Sequence, residues 1–369
     1  MTDESTLPSP EELLINLSEE TPTGRDLRLD VTPQSLYFRL RDARSEGRAQ
    51  ERIADNDPTA TDDGFRHWTA VRELAIAALA AETKDLEIAA WLTESLVRCD
   101  GLAGLVVGAE LMRGLVERFW ERNLFPPPDE DGLEGRLAPI AGLDGEGGNG
   151  ALLQPLRKLV MFERGDGTPV SFWQFEQSED VAALADTARK NQRLAAGVPP
   201  FAELEAEARG AGRPMLAAMV ADAGRAIAAW RALKAALDTA AGRDAPALGR
   251  VLDLLNKLHR VAARYAGLPA AAVEATEATV AESAPLAEPQ GSTVQAADAQ
   301  PDREMLLAEL SRIAALFRKT EPNSPISYTL EEAIRRARLT LPELLKEMMP
   351  DAAPRAALLV GLGINATLE

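Results

Sequence analysis

The 369-residue chain is 46% apolar, enough for about two or three packed domains, and carries a formal charge of −18 with a pI near 4.7. Its basic residues are scattered among acids, which argues against a nucleic-acid partner, since phosphate recognition rests on clustered Lys and Arg. The single cysteine, Cys99, excludes an intrachain disulfide framework and fits a reducing cytoplasm, the acidic start at Asp3 and Glu4 does not read as a signal peptide, and no apolar run approaches the ~20 residues of a membrane span.

Residues 1–32 are polar and turn-rich around one apolar patch at Leu13, Leu14, Ile15 and Leu17. Ser35 to Ile53 reads as a charged, irregularly amphipathic helix, and Asn, Asp, Pro and Gly interrupt it over Asp55–Gly64. Phe65 to Ala81 follows as a helix with Trp68, Val71, Ala78 and Leu79 on one face. Thr83 and Asp85 are both candidate N-caps for a helix that carries Leu86, Ala89, Ala90, Leu96 and Val97 and stops at Gly101. Leu105, Ala109, Met112, Val116 and Phe119 form a further stripe, which Pro126-Pro127-Pro128 ends. Two helices joined by a tight glycine turn predict an antiparallel hairpin.

A loop-rich interval with one short helix at Leu133–Leu143 comes next. Leu159–Glu163 and Val170–Phe175, separated by Arg164-Gly165-Asp166-Gly167, predict a small β-hairpin, with helices resuming near Asp180. Met215–Leu237 and Leu248–Tyr265 carry stripes of helical period and predict a second helical hairpin. Residues 269–301 are rich in Ala, Glu, Thr, Ser and Pro, with no aromatic residue and no Lys or Arg, and predict a flexible linker. Beyond it, Arg303–Lys319 reads as helical, Thr329 and Glu332 as a capping box, and Leu330, Ile334, Leu341, Leu344 and Leu345 as the apolar faces of a small helical module. So thin a core predicts stabilisation by self-association. The expected fold is mainly α: a helical bundle head with a small β-hairpin, a second helical-hairpin region, and a short tethered α-helical C-terminal module. The expected divisions are 1–145, 146–268, the linker 269–301 and 302–369.

Residues able to carry chemistry are few. Gly145-Glu-Gly-Gly-Asn-Gly150 spells G-x-G-x-x-G, but Ala141-Gly-Leu-Asp before it is a poor strand whose acid would repel a pyrophosphate. Asp129-Glu-Asp-Gly132 lacks the remaining ligands of a calcium loop, and His67 and His259 are isolated flank or surface residues, so no metal or other cofactor is expected. Cys99 ends an apolar stripe and reads as a small core residue, and no G-x-S-x-G elbow is present. At least four of the tryptophans Trp68, Trp91, Trp120, Trp173 and Trp230 read as core. These residues point to a non-enzyme without naming a role.

An ordered set of short elements goes further. Thr23-Gly24-Arg25-Asp26-Leu27-Arg28-Leu29-Asp30 resembles the early element of the TssA/ImpA family of the bacterial type VI secretion system, with Leu29 where the family carries tyrosine. Lys84-Asp85-Leu86 through Trp91 and Glu94, Gly101-Leu-Ala-Gly104-Leu105, Phe119-Trp120, Phe125-Pro126, Asp129–Gly132 and Arg136 then follow in family order. Glu321–Pro325 through Leu341–Leu345 resembles the C-terminal segment of shorter members. The resemblance implies a cytoplasmic, non-enzymatic scaffold that forms rings with itself. It also implies contact with baseplate, tail tube, sheath and membrane-complex proteins, without nucleic acid or direct membrane insertion. The runner-up roles are a sheath-end cap or stabiliser of the same machine, and a helical scaffold or chaperone of another complex. Within the motif, Asp129, Glu130, Asp131 and Arg136 are the candidate partner-contact loop. Leu330, Ile334, Leu341, Leu344 and Leu345 are the candidate oligomerisation residues.

Overall fold

A computed structural model describes residues 7–56, 64–128, 132–145, 149–267, 311–312, 314–315, 318, 326–339 and 346–347. The chain divides into two compact units, Met1–Pro285 and Leu286–Glu369. The acidic residues 129–131, the expected linker, and Leu341, Leu344 and Leu345 lie outside the described residues.

In the first unit, α1 (Pro10–Leu13), α2 (Leu36–Asn56), α3 (Gly64–Ala81) and α4 (Leu86–Phe119) precede α5 (Glu134–Asp144) and α6 (Leu153–Arg157). A two-stranded antiparallel sheet, β1 (Val160–Glu163) with β2 (Pro169–Ser171), leads into α7 (Phe172–Ala183), α8 (Thr187–Ala195) and α9 (Phe201–Arg209). The long α10 (Arg213–Ala241) and α11 (Gly249–Ala266) complete it. One buried apolar cluster runs from Leu13 to Ala266 and includes residues on both sides of residue 145, with α10 packed on both α4 and α11.

The first hairpin forms as its periodicity predicts. Gly101 breaks α4 with φ 60° and ψ −132°, a conformation that costs glycine little. The two halves then close so tightly that a Cβ on Gly104 would collide with the Leu96 carbonyl, and one on Gly108 with Thr93. Leu14 packs on Gly114 in the same way, which seats α1 against α4. In the second hairpin Trp230 is fully buried, and its indole N–H donates to the Leu248 carbonyl at 3.1 Å. Trp68 and Trp91 are buried and Trp120 packs on the core, whereas Trp173 is 41% exposed.

Several expectations need correction. The second strand ends at Ser171, and Phe172–Phe175 open α7, because Ser171 and Gln174 form a capping box. His259 is buried, 3% exposed, on the inner face of α11. The short helix expected at Leu133–Leu143, by contrast, is present as α5, with Gly145 as its left-handed C-cap at φ 93°, so no strand leads into the glycines.

In the second unit, α12 (Ile326–Arg338) starts upstream of Thr329, which therefore lies inside the helix and does not cap it. Ile334 is buried, 8% exposed, Leu330 is half-buried, and Tyr328 is exposed. Arg335 pairs with Glu332 at 2.7 Å and with Glu347 at 2.6 Å, and Arg318 with Glu331 at 2.6 Å. The paired arginines hold Glu332 down at about 2, through its hydrogen bond with Arg335 first.

Candidate functional site

Three of the short motifs, at Thr23–Asp30, Lys84–Leu86 and Phe125–Pro126, converge on one seam. Lys84 donates its backbone N–H to the Thr23 carbonyl at 2.8 Å. Leu86 donates to the Phe125 carbonyl at 2.8 Å, and Phe125 donates back to Lys84 at 3.1 Å. Gly24 bridges Thr83, and Asp85 bridges Phe125, so the early element, the start of α4 and the proline turn are stitched by backbone.

The Lys84-Asp85 pair works as a double cap. The fully buried Lys84 ammonium donates to the carbonyls of Leu13 at 2.7 Å and Leu79 at 2.6 Å, which belong to the ends of α1 and α3. Carbonyls in the last turn of a helix lack intrahelical donors, and a cation there also suits the helix dipole. Burial pushes the ammonium down to about 8. Asp85 faces the other way and accepts from the backbone N–H groups of Glu87 at 2.8 Å and Ile88 at 3.3 Å, the first turn of α4. Its carboxylate is inaccessible, and burial raises its pKa against the opposing pull of Arg28.

From that seam an ion network runs along α4. Arg28 reaches Asp85 at 2.6 Å and Glu87 at 2.8 Å, and the Tyr37 hydroxyl donates to Glu87 at 3.1 Å. Glu94, 1% exposed, receives Arg44 on one oxygen at 2.6 Å and Arg48 on the other at 2.8 Å. Glu87, Trp91 and Glu94 fall at i, i+4 and i+7 of α4, and Tyr37, Arg44 and Arg48 at i, i+7 and i+11 of α2, so two helical stripes face each other. The Arg44 guanidinium lies 5.1 Å from the Trp91 ring centroid, and Tyr37 packs on Trp91 at 5.5 Å.

Above these stripes is an open cleft of about 550 Å³, whose far wall is Pro126 and the Gly135, Ala138, Pro139 and Gly142 face of α5. Arg136 sits behind that wall, 5% exposed, donating to the Pro126 carbonyl at 2.8 Å with its guanidinium 4.9 Å from the Trp120 ring. Its charge therefore anchors the proline turn to α5, close in sequence to residues 129–131. Burial and Glu87 raise Tyr37 to about 12, which keeps it a neutral donor. Burial likewise pushes the Cys99 thiol up, away from a reactive thiolate. The cleft offers guanidinium donors, an aromatic floor and paired carboxylates, a chemistry of recognition. Among the described residues no group of three or more His, Cys, Asp or Glu is placed to hold a metal, and no helix is long and apolar enough to cross a membrane.

Arg28, Arg44 and Arg48 were not singled out as site residues from sequence. Arg28 lies 57 residues before Asp85, and Arg44 and Arg48 lie 50 and 46 residues before Glu94, so only tertiary contact reveals the pairings.

Comparison with known proteins gives concordant results. Residues 14–145 match the family described as ImpA, N-terminal, type VI secretion system. The chain is 25% identical over 346 residues to the type VI secretion system component TssA1 of Pseudomonas aeruginosa, covering 92% of this chain and 94% of that protein. The solved N-terminal domain of the TssA component from Burkholderia cenocepacia, which includes the conserved ImpA_N region, aligns with a TM-score of 0.59 at 27% identity. That alignment covers 72% of this chain and 97% of the solved one, reaching well past residues 14–145.

Proposed function

We propose that this chain, a member of the TssA/ImpA family of the type VI secretion system, works in the cytoplasm as a non-enzymatic, oligomeric assembly factor for the baseplate and the tail tube and sheath. The observation that carries this reading is that several of the family elements, through Arg28, Glu87, Trp91, Glu94 and Pro126, meet on one open, polar cleft. Arg28, Glu87, Trp91 and Glu94 all line it. Arg44 and Arg48 hold both oxygens of Glu94, and Arg28 and Tyr37 hold one oxygen of Glu87, so the carboxylates of the cleft are organised as ion pairs.

In this reading the cleft, together with the acidic Asp129, Glu130 and Asp131 that lie between Pro126 and α5 in sequence, receives baseplate, tube, sheath or membrane-complex proteins, and Leu330, Ile334, Leu341, Leu344 and Leu345 join copies of residues 302–369 into a ring. Pull-downs of the full chain with purified baseplate, tube and sheath proteins test the first half. Arg44→Ala with Arg48→Ala, and charge reversal of residues 129–131, are each expected to weaken capture of at least one component. Unchanged capture by both variants sinks the docking assignment. Light scattering on the full chain tests the second half: an oligomer that Leu330→Asp with Ile334→Asp reduces to monomer is expected, and a wild-type monomer overturns it.

A further inference from the structure

A second cleft, of about 520 Å³, lies within the first unit between α7, α8, α11 and the end of α6. Its rim carries Arg157, Arg189, Arg193 and Lys257 around Trp173, on a chain whose net charge is −18. Elsewhere in this unit many cations are engaged by the chain's own acids, as Arg28, Arg44 and Arg48 are. Here Arg157 and Lys257 share the single carboxylate of Glu176. Arg189 and Arg193 are exposed and pair with no carboxylate among the described residues.

Arg189 and Arg193 stand at i and i+4 of α8, on one face, where like charges repel and weaken a helix. That helix buries none of its residues, so the arginines are not held in place by a packing need. Beside them the Trp173 indole is 41% exposed, in a chain whose other tryptophans are buried or packed on the core. Val181 and Leu184 give the cleft an apolar floor. An exposed indole beside unpaired guanidiniums is the composition of a protein-recognition hot spot.

We infer that this cleft is a docking site for an acidic peptide segment of a partner protein, its carboxylates taken by Arg189 and Arg193 and an apolar side chain laid on Trp173. Guanidinium forks match carboxylates in geometry and charge, and rim charges on an acidic protein set which segment arrives. The cleft does not suit a polyphosphate or an anionic bilayer. Glu176 and Asp180 sit among the cations, break any continuous basic stripe, and repel closely spaced phosphates.

The test uses the full chain and a fluorescein-labelled peptide built from four Glu-Glu-Leu repeats, followed by anisotropy at low and moderate salt. Saturable binding that weakens with salt is expected. Arg189→Gln with Arg193→Gln should reduce affinity at least about tenfold, and Trp173→Ala severalfold, with helical circular dichroism unchanged because these side chains are exposed. Absence of peptide binding, or binding that both variants leave intact, overturns the inference. So does displacement of the peptide by single-stranded DNA or by phosphatidylglycerol vesicles at equal charge. Arg44→Ala with Arg48→Ala is the companion control, and loss of peptide binding there assigns the peptide to the α2–α4 cleft instead.

Discussion

Arg28→Ala is the sharpest probe of the motif seam. The Arg28 guanidinium stands 2.6 Å from an Asp85 carboxylate that has no access to solvent, and 2.8 Å from Glu87. Without it, Asp85 keeps two backbone N–H donors and loses its countercharge. Removing one member of a buried pair costs about 3–5 kcal/mol, and because Arg28 itself is about a quarter exposed the lower end applies, about 3 kcal/mol. Asparagine at position 85 retains the cap without the charge, so Arg28→Ala with Asp85→Asn should recover about 1–2 kcal/mol of that loss. The pH dependence follows from the direction of the shift. Burial already raises the Asp85 pKa, and loss of Arg28 raises it further. A carboxyl raised in the folded state adds stability that is complete below its unfolded pKa, about 3.9, and is lost as pH climbs through the folded value. The deficit of Arg28→Ala should therefore be largest at about pH 7 and narrow towards about pH 5. Urea unfolding by far-UV circular dichroism on wild type, both single variants and the double variant measures all of this. A deficit below about 1 kcal/mol, independent of pH and unrelieved by Asp85→Asn, would refute the reasoning and mark Arg28 as an ordinary surface pair.

Three further outcomes are expected. Lys84, near 8 when folded and about 10.4 when unfolded, makes the unfolded chain the better proton binder between those values. Stability should therefore rise as pH increases from about 8 to 10. In Lys84→Met that rise should vanish, which urea titrations across the range would detect. Gly104→Ala gains about 1 kcal/mol of helix propensity but drives a methyl into the Leu96 carbonyl, for a net loss of about 1–3 kcal/mol. Gly142→Ala, which meets nothing within 4 Å, should instead gain up to about 1 kcal/mol in the same thermal melts. Cys99, half-buried and with its pKa raised, should react with a thiol reagent at neutral pH more slowly than free cysteine, and an equal rate would show that it is accessible as thiolate.

The helical stripes could be read from residue spacing because each is a local property. Trp68, Val71, Ala78 and Leu79 are buried on α3, and Leu105, Ala109, Met112 and Phe119 on α4, as period 3.6 requires. Gly101 was legible as a helix stop for the same reason. The start of α7 was written in the chain as Ser171-Phe-Trp-Gln174, a capping box, but its three aromatics within four residues resemble a strand more than a helix. The polar seam was legible in its members, Asp85 as a candidate N-cap among them, but not in its pairings. Read alone, α2 is merely charged and irregular, since the order of Arg44, Arg48 and Glu51 acquires meaning only when α4 sets Glu94 and Arg98 beside them. Nothing local to Lys84 shows that two other helices end on it.

That distinction decides which substitutions can separate docking from folding. Lys84 and Asp85 close helix ends and Arg28 is the countercharge of buried Asp85, so changing them perturbs the scaffold before any partner is met. Arg44 and Arg48 differ, because each holds one oxygen of the same Glu94 and is 22% and 34% exposed. Removing either leaves Glu94 paired through its other oxygen, with Arg98 4.0 Å away, so each single alanine variant should cost only about 1 kcal/mol. The guanidinium lost is nonetheless one that faces the cleft beside Trp91. A folded single variant that no longer captures its partner would place recognition in the cleft. Full capture by both single variants, alongside loss of capture on charge reversal at residues 129–131, would move recognition to the acidic loop and leave the arginines a purely structural role.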